Sequence, residues 1–276
     1  MLRGIPRSKK QETGMEKREI HGIDVFIEGQ GEETIVMIHG WPDTYRLWDR
    51  QVEILKPKFR CVRFTLPGFD INKPRKLYTL QDEVDIFSEI IDTVSPDKKV
   101  ILMLHDWGCF FGYQYYMLNQ NRVSKVIGID VGDVGSEDMK LPLSMVLFAA
   151  GYQLWLALAW KIGGKIGDAM TRKMAKSFKV RADLSLIHSG MNYAYYLRWK
   201  HFFLRKSQGN IIINPSCPML FFYGRNKPTM FHSQAFADRL SRTAGSRAIG
   251  MDAGHWIMLD DPEGVNSEIL NWLEGR

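Results

Sequence analysis

Five apolar residues in a row, Val100–Leu104, run straight into His105-Asp106-Trp107-Gly108 and then into a helical pattern over Gly108–Leu118. A short run with no polar break suits a strand buried on both faces, the condition of a central strand in a parallel sheet covered by helices. The handover to the helix leaves only His105, Asp106 and Trp107 for a sharp bend. Whatever stands at that bend is presented at the carboxyl edge of the sheet, where open α/β sheets place their sites.

Other segments repeat the alternation. Ile23–Ile27, Thr34–Ile38, Cys61–Thr65, Val123–Ile129, Met219–Tyr223 and Arg247–Met251 read as strands. Gln81–Val94, Met230–Leu240 and Val265–Leu273 read as helices between or after them. This predicts an α/β fold: a mostly parallel central sheet with helices on both faces. Residues 135–210 hold no convincing strand and are expected to form an inserted helical cap. The core is then 19–134 with 211–276, and residues 1–18 are a basic tail. Within the cap, Leu141–Trp160 carries no charge and is flanked by Lys140 and Lys161. Its length suits a membrane span. Pro142, Ser144, Tyr152 and Gln153 interrupt it, and a span in mid-chain divides the strands between two sides of a membrane. The expectation is a buried lid helix, with a membrane-touching lid and a true span as lesser readings.

Charge and cysteine content narrow the partners. The net charge of +6 comes from scattered Lys and Arg, apart from Arg3, Arg7, Lys9, Lys10, Lys17 and Arg18 in the tail. Zinc-finger spacing and RNA-binding signatures are absent, so nucleic acid is not an expected partner. Cys61, Cys109 and Cys217 are too few and too far apart for a disulfide framework or a metal cluster. A reducing, cytoplasmic location is expected, with a mitochondrial address as the alternative suggested by the basic start.

Three short motifs carry the chemistry. Asp106 stands at the apex of a strand–turn–helix, the geometry of the nucleophile elbow in G-x-S-x-G hydrolases, with a carboxylate in place of the hydroxyl. A carboxylate is already ionised at neutral pH and can displace a leaving group at saturated carbon, forming an ester. Taken alone, Asp106 reads equally as a helix N-cap. Upstream, His39-Gly40-Trp41-Pro42 follows the Thr34–Ile38 strand and can aim the Trp41 backbone N–H at the elbow. The N–H of Trp107 is the second donor for an oxyanion. Near the end, Gly254-His255-Trp256 places a histidine after the last strand, suited to act as general base for water.

In this order and spacing, the HGWP, HDWG and GHW blocks resemble the epoxide hydrolase and haloalkane dehalogenase branch of the α/β-hydrolase superfamily, over roughly residues 20–275. The resemblance implies a covalent ester on Asp106 hydrolysed by His255-activated water, with no cofactor and no metal. Tyr152-Gln153-Leu154 and Met191-Asn192-Tyr193-Ala194-Tyr195-Tyr196 resemble the two tyrosine regions that donate hydrogen bonds to the epoxide oxygen. Tyr152 with either Tyr195 or Tyr196 is therefore implied. Trp41, Trp107, Tyr152 and Trp155 are the expected substrate contacts, for a small hydrophobic substrate. A dehalogenase, with the Trp107 and Trp41 indoles on the halide, is the alternative enzyme. A binding protein on a weakened hydrolase scaffold is the alternative outside catalysis.

The chain departs from that branch in three places. Lys227, in Tyr223-Gly224-Arg225-Asn226-Lys227-Pro228, stands where many members carry the acid of the triad. Asp130, at the end of the strand after the elbow, is the best replacement, followed by Asp133 and Asp252. Leu104 stands two residues before the nucleophile, where many relatives have Gly, and is expected to tighten or tilt the elbow. Pro67-Gly68-Phe69-Asp70 keeps the expected Pro-Gly turn but differs after it.

Overall fold

The structure is a computed structural model and describes residues 14–206 and 209–276. Among the described residues, strands β1 (Met15–Ile20), β2 (Ile23–Glu28), β3 (Thr34–Ile38), β4 (Arg60–Phe64), β5 (Val100–His105), β6 (Val123–Ile129), β7 (Met219–Gly224) and β8 (Arg247–Met251) form one sheet. Their order is β1-β2-β4-β3-β5-β6-β7-β8. From β4 to β8 every neighbour pairs in parallel, while β1 and β2 add an antiparallel edge.

β1 corrects the expected tail. Positions 1–13 lie outside the described residues, but Met15–Ile20 pairs along its whole length with β2. Its sequence MEKREI has too little apolar content to signal a strand. The pairing comes from the two-residue turn His21-Gly22, both at positive φ, which matches the twist of a tight hairpin.

Helices α1 (Asp49–Leu55), α2 (Leu80–Val94), α3 (Trp107–Leu118), α4 (Leu143–Ile162), α5 (Gly164–Ser177), α6 (Tyr193–Phe203), α7 (Gln234–Arg242), α8 (Ile257–Asp260) and α9 (Pro262–Leu273) complete the chain. Strand side chains alternate between two cores. On β3, Val36 and Ile38 join the core beneath α2 and α3, whereas Ile35 and Met37 join the one holding residues of α1 and α9. Two helix starts differ from the sequence expectation because caps set them. Ser233 accepts from the Phe236 N–H and starts α7 there, and Asp261 followed by Pro262 starts α9.

The strand after the elbow hands over to α4, α5 and α6 before the chain returns as β7. α4 overturns the expectation of a buried helix. Only Leu156, Ala157 and Ala159 are buried along it, and Leu143 remains 72% exposed. Its apolar composition exceeds what one contact face can cover, so the surplus stays in the open.

Candidate active site

β5 ends at His105 and α3 begins at Trp107, so Asp106 alone makes the bend, with φ 52° and ψ −121°. A non-glycine residue in that region costs about 1–3 kcal/mol and persists only where packing over-determines it. The packing is visible at two glycines. A Cβ on Gly108 would collide with the carbonyl oxygens of Ile38 and His39, and one on Gly40 with the Asp106 carboxylate. The HGWP loop and the elbow thus meet backbone to backbone. Leu104 is accommodated in the same way: its side chain fills the space a Cβ on Gly112 would need. The small residue expected on the strand is replaced by one on the helix.

The Asp106 side chain makes no helix-capping hydrogen bond. Its Oδ1 accepts from the Trp41 backbone N–H at 2.7 Å, and the nearby Trp107 N–H also favours the ionised carboxylate. Its Oδ2 lies 3.5 Å from His255 Nε2. Burial pushes the Asp106 carboxyl upward, but the hydrogen bond and charge of His255 outweigh it and hold the group below the ordinary carboxylate range.

On its other side His255 meets Asp130, with Nδ1 to Oδ2 at 2.5 Å. Asp130 sits just past β6, fully buried and at φ 70°. Its second oxygen accepts from the Gly224 N–H at 3.1 Å and from Lys227 Nζ at 2.5 Å. The lysine at the expected acid position therefore pairs with the replacement acid. Burial raises Asp130, yet the charges of His255 and Lys227 take it down to about 2. Burial lowers His255, yet Asp130 and Asp106 lift it to about 9. The resting imidazole is thus a cation between two carboxylates. Asp133 instead binds Ser136 and Ser233, and Asp252 is exposed beside Arg225. Neither reaches His255.

Asp106 and His255 open into a cavity of about 450 Å³ whose far wall includes Phe148, Tyr152, Phe178 and Tyr195. The Tyr152 and Tyr195 rings stand 6.1 Å apart. Burial, with the Asp106 charge adding, raises both phenols above their usual range, so both stay protonated at neutral pH. A larger groove of about 550 Å³, lined by residues such as His21, Tyr45 and Lys76, lies away from these groups and lacks their chemistry.

Several expected contacts are not brought together. Tyr196 stacks on Trp160 at 4.2 Å and is absent from the cavity wall. Adjacent residues on a helix point about 100° apart, so Tyr195 and Tyr196 cannot both face inward. The Trp155 indole donates to the Met170 carbonyl at 3.0 Å and is turned to α5. The Trp107 ring packs against Phe111 and Tyr195 outside the cavity wall. The Trp41 indole, offered as a halide donor, is committed to Asn192 Oδ1 at 2.8 Å.

Other residues were not anticipated. Asp43, immediately after HGWP, accepts from the Trp256 indole at 2.8 Å, beside the His255 ring. Burial carries Asp43 to about 7 against that bond. Its adjacency to the motif was the available signal. Phe178 gave none, because apolar aromatics next to a helix look alike whichever way they face.

Comparison with known proteins adds the following. A profile described as the alpha/beta hydrolase family matches residues 35–268. The probable oxidoreductase EphD of Mycobacterium tuberculosis is 36% identical over 97 residues, 34% of this chain and 16% of that protein. Epoxide hydrolase 1 of Caenorhabditis elegans is 22% identical over 262 residues, 87% of this chain and 64% of that one. The chain thus spans less than two thirds of either relative's length. A solved variant of an epoxide hydrolase from Bacillus megaterium, complexed with its product, superposes with a TM-score of 0.71 at 19% identity, covering 94% of this chain and 100% of that one. At that identity the likeness is one of fold.

Proposed function

The chain belongs to the alpha/beta hydrolase family, and from that premise we propose that it opens epoxides to vicinal diols through an ester on Asp106. The observation that carries the reading is the meeting of Tyr152 and Tyr195 with Asp106 and His255 in one cavity. An opening epoxide leaves an alkoxide that must gain a proton, and two protonated phenols facing a carboxylate meet that need. Halide departure needs indole or amide donors, and the Trp41 indole is already used.

In the first step Oδ2 of Asp106 attacks a ring carbon, the carbon–oxygen bond breaks, and a tyrosine proton passes to the leaving oxygen. Oδ1, in the Trp41 and Trp107 cradle, becomes the ester carbonyl. Esterification cancels the Asp106 charge, one of the two that hold His255 protonated. His255 can then pass its proton, through solvent, to the tyrosinate left by ring opening and serve as base. Water gives a proton to Nε2 and attacks Cγ, and the oxyanion forms on Oδ1 between the two N–H groups. Collapse breaks the Cγ–Oδ2 bond, and the departing diol oxygen takes the proton of the acid so formed, which restores the Asp106 carboxylate and the protonated His255. Asp130 holds the imidazole by Nδ1 throughout. The helices α4 to α6 act as the lid that carries the phenols.

The test is His255→Gln with a panel of apolar epoxides. The intact protein is expected to gain the mass of one epoxide, and diol release to fall by about 10³-fold or more. Multiple turnover at the parent rate without a mass gain would remove both the ester and the base.

A further inference from the structure

The face of α4 turned away from the sheet is apolar and open. Leu143, Leu147, Leu154, Leu158 and Ile162 are all exposed, from 39% at Leu154 to 72% at Leu143. At about 100° per residue they fall within an arc of about 100° on one side of the helix. A continuous apolar stripe of this length is not an ordinary water-facing surface. The opposite side is fastened. Leu156, Ala157 and Ala159 are buried, the Trp155 indole bonds α5, and Trp160 stacks on Tyr196 of α6. The helix is long and apolar enough to cross a bilayer, but crossing would strip these contacts along its length.

Charge indicates what covers the stripe. Residues 140–206 hold twelve of the chain's 37 Lys and Arg, but only two, Asp168 and Asp183, of its 31 Asp and Glu. The rest of the chain is therefore net acidic. Lys140 precedes α4 and Lys161 lies in its last turn, Lys165, Lys173 and Lys176 are exposed on α5, and Arg205 and Lys206 follow the exposed Phe202 and Phe203. A second copy docked on this face would set basic segment against basic segment. An anionic surface is complementary to it.

We propose that α4 seats this protein on an anionic phospholipid bilayer, lying in the plane of the interface. The leucine stripe enters the acyl boundary and the surrounding lysines meet the headgroups. Phe148 and Tyr152 of the same helix line the cavity, so seating sets the cavity wall beside the lipid. The proposal is independent of the reaction assigned to the site.

The test is co-sedimentation of the full chain with phosphatidylcholine vesicles, with and without phosphatidylglycerol. Binding is expected with phosphatidylglycerol, weakening as salt is added. The triple variant Leu147→Ser, Leu154→Ser, Leu158→Ser alters only exposed positions and should partition at least about tenfold less, with its melting temperature checking the fold. If it does not fold, Lys161→Glu with Lys165→Glu reads the same loss on the anionic vesicles. Three results would each overturn the proposal. These are wild-type protein that stays in the supernatant, binding to both vesicle types equally and irrespective of the variants, and a dimer that the triple variant makes monomeric without vesicle binding.

Discussion

The floor of the cavity and its roof are built to opposite tolerances. Under Asp106, Gly40, Gly108 and Gly112 have no room for a methyl group, the first two because of the elbow and the HGWP loop, the third because of the Leu104 side chain. Over it, Gly151 of α4 has nothing within 4 Å of where its Cβ would stand. The floor holds a strained carboxylate and an ion cluster in fixed register. The roof supplies a wall and two phenols from helices whose outer faces are free. Positional demand is thus concentrated where charge must develop in a defined direction, and the rest of the site is left adjustable.

Substitutions can break or sharpen this contrast. The largest effect belongs to Asp106→Ala, which on the proposed mechanism removes the attacking group and should lower kcat for epoxide opening by about 10⁴-fold or more, read as diol formation by chromatography. Next is Gly108→Ala, whose methyl meets two carbonyl oxygens that cannot both retreat. It should cost about 2–4 kcal/mol, seen as a lower denaturant midpoint. A neutral result there would dissolve the distinction between floor and roof.

Lys227→Met tests the ion cluster. Lys227 draws on the carboxylate that also draws on His255. Without it Asp130 holds the imidazolium more tightly, so the His255 pKa rises further. The alkaline rise in ester-hydrolysis rate should then move up by about one pH unit, making that step about tenfold slower at neutral pH. Ester formation, which needs only ionised Asp106, should stay flat across the same range. Single-turnover kinetics against pH resolve the two phases. The smallest effect is at the roof: Gly151→Ala should stabilise by about 0.5–1 kcal/mol through helix propensity alone, read as a raised midpoint.

Sequence and structure agree most where local pattern decides the outcome. The Val100–Leu104 run, the sharp bend with Asp106 at its apex and the loop at Trp41 could all be read because period, propensity and spacing act within a few residues. Lys227 could be read only as a departure. Its pairing with Asp130 joins two strand ends far apart in sequence, and no local rule connects them. Tyr195 could not be separated from Tyr196 because helical phase depends on packing, not on the pair itself. The exposure of α4 was misjudged for a related reason: composition says how apolar a helix is, not how much partner surface awaits it.

Leu104 seated in the notch left by Gly112 ties a strand residue to a helix residue as lock and recess. Enlarging position 112 alone would push the Leu104 side chain aside, and trimming position 104 alone would leave a hollow beneath the bend. Exchanging bulk between them offers a route by which descendants of this chain, or a designer, could reset the pitch of the strand beneath Asp106 without touching any group that lines the cavity.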